Sequence, residues 1–274
     1  SEKGHSKFNE IVGSDFRLQN PNGIFLVMPK VIKKCLSVKS RFRIIYYLAS
    51  FLYAFYILFT CRKYKVFILS YNLATLFLAS NLIRTRNPIY IFEHNTFVPD
   101  NKLKVKFFKF INPRYTHLVF EEYISSKIGQ LNRKSIVYPH PRLELPIEKK
   151  NIDFLMVSST VLEGDIVALV SYFSKIDAAC LIKDRYNPPR TVGRVKTFHH
   201  LKDYEKTIAR TKCVIIPQKF DFRVSGVFYD VILNVETVLL RRSLFAENMA
   251  NMFPQKVIIF DEIMDIDVSF VSVC

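Results

Sequence analysis

The chain reads as an α/β protein built on two parallel, helix-covered sheets, and three observations lead there. Short apolar runs alternate with stretches of helical length along most of its 274 residues. Half of the residues are hydrophobic, enough for two modest cores, while 7 Gly, 12 Pro and no internal repeat exclude a fibrous or low-complexity chain. The charge is also divided unevenly. Residues 1–150 hold 25 Lys and Arg against 9 Asp and Glu, whereas 151–274 hold 15 of each. The pattern breaks at Pro139-His140-Pro141 and stays broken through Lys150, which sets an N-terminal domain at 1–145 and a C-terminal domain at 146–274.

In the first domain, residues 23–28 and 66–69 are expected as strands, being apolar runs closed by polar or turn residues. Residues 44–61 are apolar and tyrosine-rich, near the roughly 20 residues that a bilayer requires. Lys30, Lys33, Lys34, Lys39, Arg41 and Arg43 precede that run, and Arg62, Lys63 and Lys65 close it. With basic residues at both ends and an equally apolar strand and helix beyond, a buried helix with an interfacial face is favoured over a span. Residues 73–83 continue as a helix, and 89–92 and 117–120 as strands. In the amphipathic helix at 102–111, Leu103, Phe107, Phe110 and Ile111 share one face, and Lys102, Lys106 and Lys109 form a complementary stripe. A helix lying among lipid headgroups has this pattern, and so does a core-packed helix with a solvated lysine face.

The second domain carries expected strands at 154–157, 179–182, 192–197, 213–216, 235–240 and 257–260, with helices at 164–175, 201–210, 227–233 and 245–251. Ligands of paired sheets of this type belong at strand C-terminal ends, here a cleft between the domains. Five cysteines, Cys35, Cys61, Cys180, Cys213 and Cys274, form no CxxC or Cys/His cluster, which argues against a disulfide framework or zinc site and favours a reducing compartment.

The stretch with most chemical content is 215–234, an apolar strand, a polar turn and the start of a helix. It places Arg223, Ser225 and Gly226 where backbone N–H groups are unpaired, a setting that attracts anions. Arg223 suits phosphate oxygens, Ser225 can donate to them, Gly226 permits close approach, and Asp230 one turn on can accept from a ribose. An ordinary helix cap with a solvated first-turn acid is the plainer reading. Ser158, Ser159 and Thr160 after the 154–157 strand are further phosphate candidates at a helix start, or a plain cap.

The residues resemble glycosyltransferases of the GT-B fold, two Rossmann-like domains facing a cleft, in particular the bacterial family-4-like enzymes of surface polysaccharide synthesis. L-K-D-Y-E-K-T-I-A-R-T-K-C-V-I-I-P from 201 to 217 resembles the helix and strand leading to the donor site. R-V-S-G-V-F-Y-D-V-I-L-N from 223 to 234 resembles the phosphate and ribose turn. I-F-E-H-N at 91–95 looks like the strand-end His of the N-terminal lobe, and I-V-Y-P-H-P at 136–141 like the interdomain connection. The resemblance covers about two thirds of the chain. It departs from the family where two glutamates with seven residues between them are usual, since Phe222 holds the first place and Asp230 the second.

The resemblance implies transfer of a sugar from a UDP- or GDP-linked donor to a lipid-linked glycan at the cytoplasmic membrane face, with no cofactor and no metal. Arg223, the Ser225-Gly226 amides and Lys219 would stabilise the departing diphosphate, with Ser158 and Ser159 as further donor contacts. Glu93 or His94 would activate the acceptor hydroxyl. Lys102, Lys106, Phe107, Lys109 and Phe110 would meet the acceptor or an anionic membrane surface. Nucleic acid is not expected as a partner. A basic nucleic-acid-binding module stands as the alternative, opposed by the neutral second half, and a non-catalytic membrane scaffold that has kept the fold is another.

Overall fold

A computed structural model describes residues 14, 43–69, 71–83, 85, 87–93, 101–158, 160–176 and 178–269. Within them the chain forms two parallel sheets, each the centre of its own unit: described residues 43–139 with 222–224, and 140–221 with 225–269. The strand expected at 23–28 lies outside the described residues.

In the first unit, β1 (Val66–Ile68), β2 (Ile89–Phe92), β3 (Tyr115–Val119) and β4 (Lys134–Val137) pair in that order, all parallel. Parallel neighbours need crossover connections. These are α2 (Leu73–Leu82), α3 (Lys102–Phe110) and α4 (Glu122–Gly129), and α1 (Arg43–Thr60) precedes the sheet. The start of α2 is fixed by Asn72, whose side-chain oxygen accepts the amides of Ala74 at 3.1 Å and Thr75 at 3.3 Å. Strand alternation sends Ile89, Ile91, Tyr115 and Val119 into a core shared with Leu58, Leu76, Ala79 and Phe108. On the opposite side of the pleat, Phe92, Leu118 and Phe120 gather with Phe67, Tyr90 and Tyr138.

The second unit is built on seven strands: β5 (Ile152–Met156), β6 (Cys180–Lys183), β7 (Thr191–Val192), β8 (Val195–Phe198), β9 (Thr211–Ile216), β10 (Thr237–Arg241) and β11 (Val257–Phe260). Their order across the sheet is β11-β10-β9-β5-β6-β8-β7, with only the β7–β8 pair antiparallel. The chain starts at the central β5, steps outward through β6 and β8, then returns to β9 on the other flank and steps outward through β10 and β11. That is a doubly wound, Rossmann-like sheet whose winding reverses between β5 and β9. Its helices are α5 (Glu163–Phe173), α6 (Tyr204–Ala209), α7 (Gly226–Val231) and α8 (Leu244–Met252). The core runs from Phe154, Met156 and Leu169 through Phe173 and Ile182 to Ile215 and Leu239.

Several expectations are corrected. The strand expected at 192–197 is a two-strand hairpin, because Gly193 turns the chain at φ +59° and pairs β7 back on β8. β4 and α4 were not expected as elements; β4 alternates exposed and half-buried residues and offers a weak apolar signal. α1 needs no correction, since a buried helix with one free face was expected: Leu58 is inside, and Ile44, Leu48, Leu52 and Phe59 face outward. The supposed common face of α3 is divided. Ile111 and Phe108 are in the core, Phe107 stacks on Phe77 of α2 at 5.3 Å, and Leu103 and Phe110 are exposed. No helix among the described residues is long and apolar enough to cross a membrane.

Candidate functional site

In the doubly wound unit the carboxyl ends of β5 and β9 lie side by side, because Ile152, Phe154 and Leu155 pair with Thr211, Cys213 and Val214. The chain leaves β5 through Val157 and Ser158, and leaves β9 through Pro217 and Gln218. Splaying helices on opposite faces away from such a switch point opens a crevice at the strand ends. The first polar groups there are joined: the Gln218 amide nitrogen donates to Ser158 Oγ at 2.5 Å and lies 3.4 Å from Thr160 Oγ1. The Gln218 carbonyl oxygen is buried without a partner. A buried polar atom left unpaired costs roughly 1–3 kcal/mol, so this amide keeps unmet hydrogen-bonding capacity beside the strand ends. Ser158 was legible as a strand-end hydroxyl. Gln218 was not, since only the β5–β9 adjacency brings it there. Ser159 lies outside the described residues.

The following turn is local and ordinary in its backbone chemistry. Ser225 is buried and caps α7, its Oγ accepting the Phe228 amide at 3.3 Å, while Gly226 opens the helix and is exposed. Asp230 on α7 accepts from Tyr204 Oη at 2.9 Å, and burial followed by that carboxylate pushes the Tyr204 phenol up. Lys219 is exposed just after β9 and adds to the Arg242 effect that holds Asp261 below the usual carboxylate range. At the end of β6, burial and then Arg185 push Lys183 down. Asp265 accepts the Glu262 amide in a single 3-10 turn, Ile263–Asp265. His140 stacks flat on Tyr229 at 4.2 Å, and burial pushes its imidazole down to about 4.

Arg223 belongs to the other unit. Its backbone oxygen accepts from Tyr123 Oη at 3.1 Å, its side chain is exposed, and its neighbours Phe222 and Val224 pack on that unit's core. There, too, Glu93 follows directly after β2. It is 3% exposed, and one carboxylate oxygen accepts from Tyr71 Oη at 2.6 Å and meets His117 Nδ1 at 2.7 Å. His117 is fully buried, stacked on Phe108 at 4.5 Å, and its Nε2 has no partner. Tyr71 and His117 were missed because they stand 22 and 24 residues from Glu93 in sequence. His94 lies outside the described residues. On α3, Lys102, Lys106, Lys109 and Phe110 are exposed and Phe107 half-buried. Among the described residues, no three His, Cys, Asp or Glu side chains gather as a metal site.

With this geometry in view, the fold has a recognisable class. The chain is similar to the crystal structure of a glycosyltransferase from Rickettsia africae ESF-5. The TM-score is 0.61 over 96% of this chain and 80% of that one, at 13% sequence identity. It shares that protein's Rossmann-like fold. No family model matches the sequence, and no curated protein matches it.

Proposed function

We propose that the chain is a metal-independent glycosyltransferase. It would move a sugar from a UDP- or GDP-linked donor to a lipid-linked glycan, in family-4-like assembly of a bacterial surface polysaccharide at the cytoplasmic membrane face. The carrying observation is the β5–β9 switch point, where Ser158 and the unsatisfied Gln218 amide stand at the strand ends. Ligands of doubly wound sheets bind at such a point. The fold shared with a solved glycosyltransferase supports reading that site as one for glycosyl transfer.

The barrier in such a transfer lies in the departing diphosphate, whose charge grows as the glycosidic bond breaks. Arg223 and Lys219 are the exposed cations proposed to meet that charge, with main-chain amides at Ser225 and Gly226. Glu93 or His94 is proposed to serve the acceptor hydroxyl, and Asp230 the donor ribose.

A thermal-shift series with UDP, GDP and their sugar conjugates tests the donor site. A nucleotide at about 100 times its Kd should stabilise by about 2.7 kcal/mol. Gln218→Ala should erase most of that response, and Arg223→Ala should lower turnover on the order of 100-fold with EDTA without effect. No thermal response to any nucleotide, together with undiminished turnover in Arg223→Ala, would sink the reading.

A further inference from the structure

We propose that the outer face of α1, continued by the exposed rows of α2 and α3, is a docking surface for an anionic lipid bilayer. It rests on the membrane-face location of the proposed function but needs no donor site, so vesicle binding and the nucleotide response can fail separately.

At 100° per residue, Ile44, Leu48, Leu52, Phe55, Tyr56 and Phe59 fall within one arc of α1. All six are exposed, Ile44 at 83%. At 1.5 Å per residue, Ile44 to Phe59 makes an uninterrupted apolar strip about 22 Å long on this 18-residue helix. α1 packs on α2 and α2 on α3, where Asn81 also donates to the Phe110 carbonyl at 2.9 Å. Each helix adds exposed apolar residues: Leu78 and Leu82 on α2, Leu103 and Phe110 on α3. A solvent-facing apolar surface of this extent marks an interaction site.

Charge identifies the occupant. Residues 43–92 and 101–120 contain no Asp or Glu at all. Of the two acids between them, Glu93 is buried and Asp100 lies outside the described residues. On α3, Lys109, Lys102 and Lys106 occupy the arc that runs directly into Phe110 and Leu103, so cationic and apolar rows adjoin. Arg62, Lys63 and Lys65 are exposed at the end of α1, with Arg62 5.0 Å from the Phe59 ring centroid. A second copy of the chain on this face would oppose like charges, which an isologous interface cannot relieve. Nucleic acid would satisfy the lysines but leave the Leu and Ile strip of α1 in water. A bilayer with anionic headgroups satisfies both at once: the strip enters the headgroup–acyl boundary and the lysines meet phosphates. Since no described helix can span, the contact is one of helices lying in the interface.

Flotation of the full chain with phosphatidylcholine vesicles, with and without about 30% phosphatidylglycerol, is the test. Binding is expected only to the anionic vesicles. Lys102→Ala and Lys106→Ala should each weaken it about five-fold, and Leu52→Glu with Phe59→Glu at least about ten-fold. Because the chain contains no Trp, Leu52→Trp supplies a single reporter that keeps an apolar side chain at the site. Its emission should shift to the blue and be quenched by brominated lipid. The proposal fails if the chain ignores anionic vesicles or binds both compositions equally. It also fails if the emission of the Leu52→Trp variant stays solvent-like on bound protein, or if the strip proves to hold a dimer or an RNA instead.

Discussion

Asp153 and Lys212 show how much a single pair can decide. They stand on the adjacent central strands β5 and β9, 2% and 7% exposed, with Lys212 Nζ 3.0 Å from one Asp153 oxygen. The other oxygen accepts the Ala179 amide at 2.8 Å. Removing the cation alone leaves a buried carboxylate half-satisfied, so Lys212→Met should cost about 3–5 kcal/mol in urea denaturation. Replacing both, Asp153→Leu with Lys212→Met, should recover most of that loss, because the desolvation cost goes with the charges. His140 gives the opposite kind of case, a buried base kept neutral. Its folded value of about 4 lies below the unfolded 6.5, so between those pH values the unfolded chain binds the extra proton. The stability is therefore complete above pH 6.5 and is lost as pH falls toward 4, by on the order of 3 kcal/mol. His140→Phe, which keeps the stack on Tyr229, should flatten that part of the stability–pH curve. At this scale the sequence reveals the ends of interactions better than their partners. Glu93 and Ser158 are visible as polar groups closing apolar runs, whereas His117 and Gln218 become neighbours only through strand order.

Elements were legible where periodicity and punctuation agree. β2 follows Pro88 and β11 follows a turn, and each is a continuous apolar run, so both are bounded correctly from sequence alone. β4 lies at one end of its sheet in the described structure and alternates exposed with half-buried residues, which hides it among loop residues. The hairpin at β7–β8 was lost for a subtler reason: Val192 to Thr197 reads V-G-R-V-K-T, and its single Gly reads equally as a bulge. Its φ of +59° decides the matter, and nothing lies within 4 Å of where a Cβ would stand. Gly193→Ala should therefore cost only the left-handed backbone penalty, about 1–2 kcal/mol, with no steric addition. Chemical denaturation measures this directly, and Gly193→Asn should be milder because Asn tolerates that region. A loss above about 3 kcal/mol would mean that the turn carries a packing role beyond its backbone.

Across the whole chain, charge was the property most plainly written in sequence and the one least tied to any single contact. The net +16 falls within residues 1–150, while 151–274 is neutral. In the neutral part, cations have acids in reach: Arg241 meets Asp165 and Glu262, and Arg242 meets Asp261 at 2.7 Å and Glu247 at 3.8 Å. Over 101–120, by contrast, four lysines and Arg114 occur without any acid in the segment. Excess charge of one sign works against the folded state through self-repulsion, and salt relieves it as the screening length shortens to about 10 Å at 0.1 M. Exposed ion pairs such as Arg242–Asp261 contribute little to stability and would be weakened by the same salt. The two effects oppose one another, and the many unopposed cations outweigh the few surface pairs. Raising NaCl from about 20 to 300 mM should then stabilise the chain by roughly 1 kcal/mol, seen as a rise of about 2–4 °C in melting temperature. Arg242→Gln should enlarge the rise by removing the salt-weakened pairs, and Lys102→Gln with Lys106→Gln should diminish it. A melting temperature that falls with salt in the unsubstituted chain would place the balance in the ion pairs of 151–274 instead.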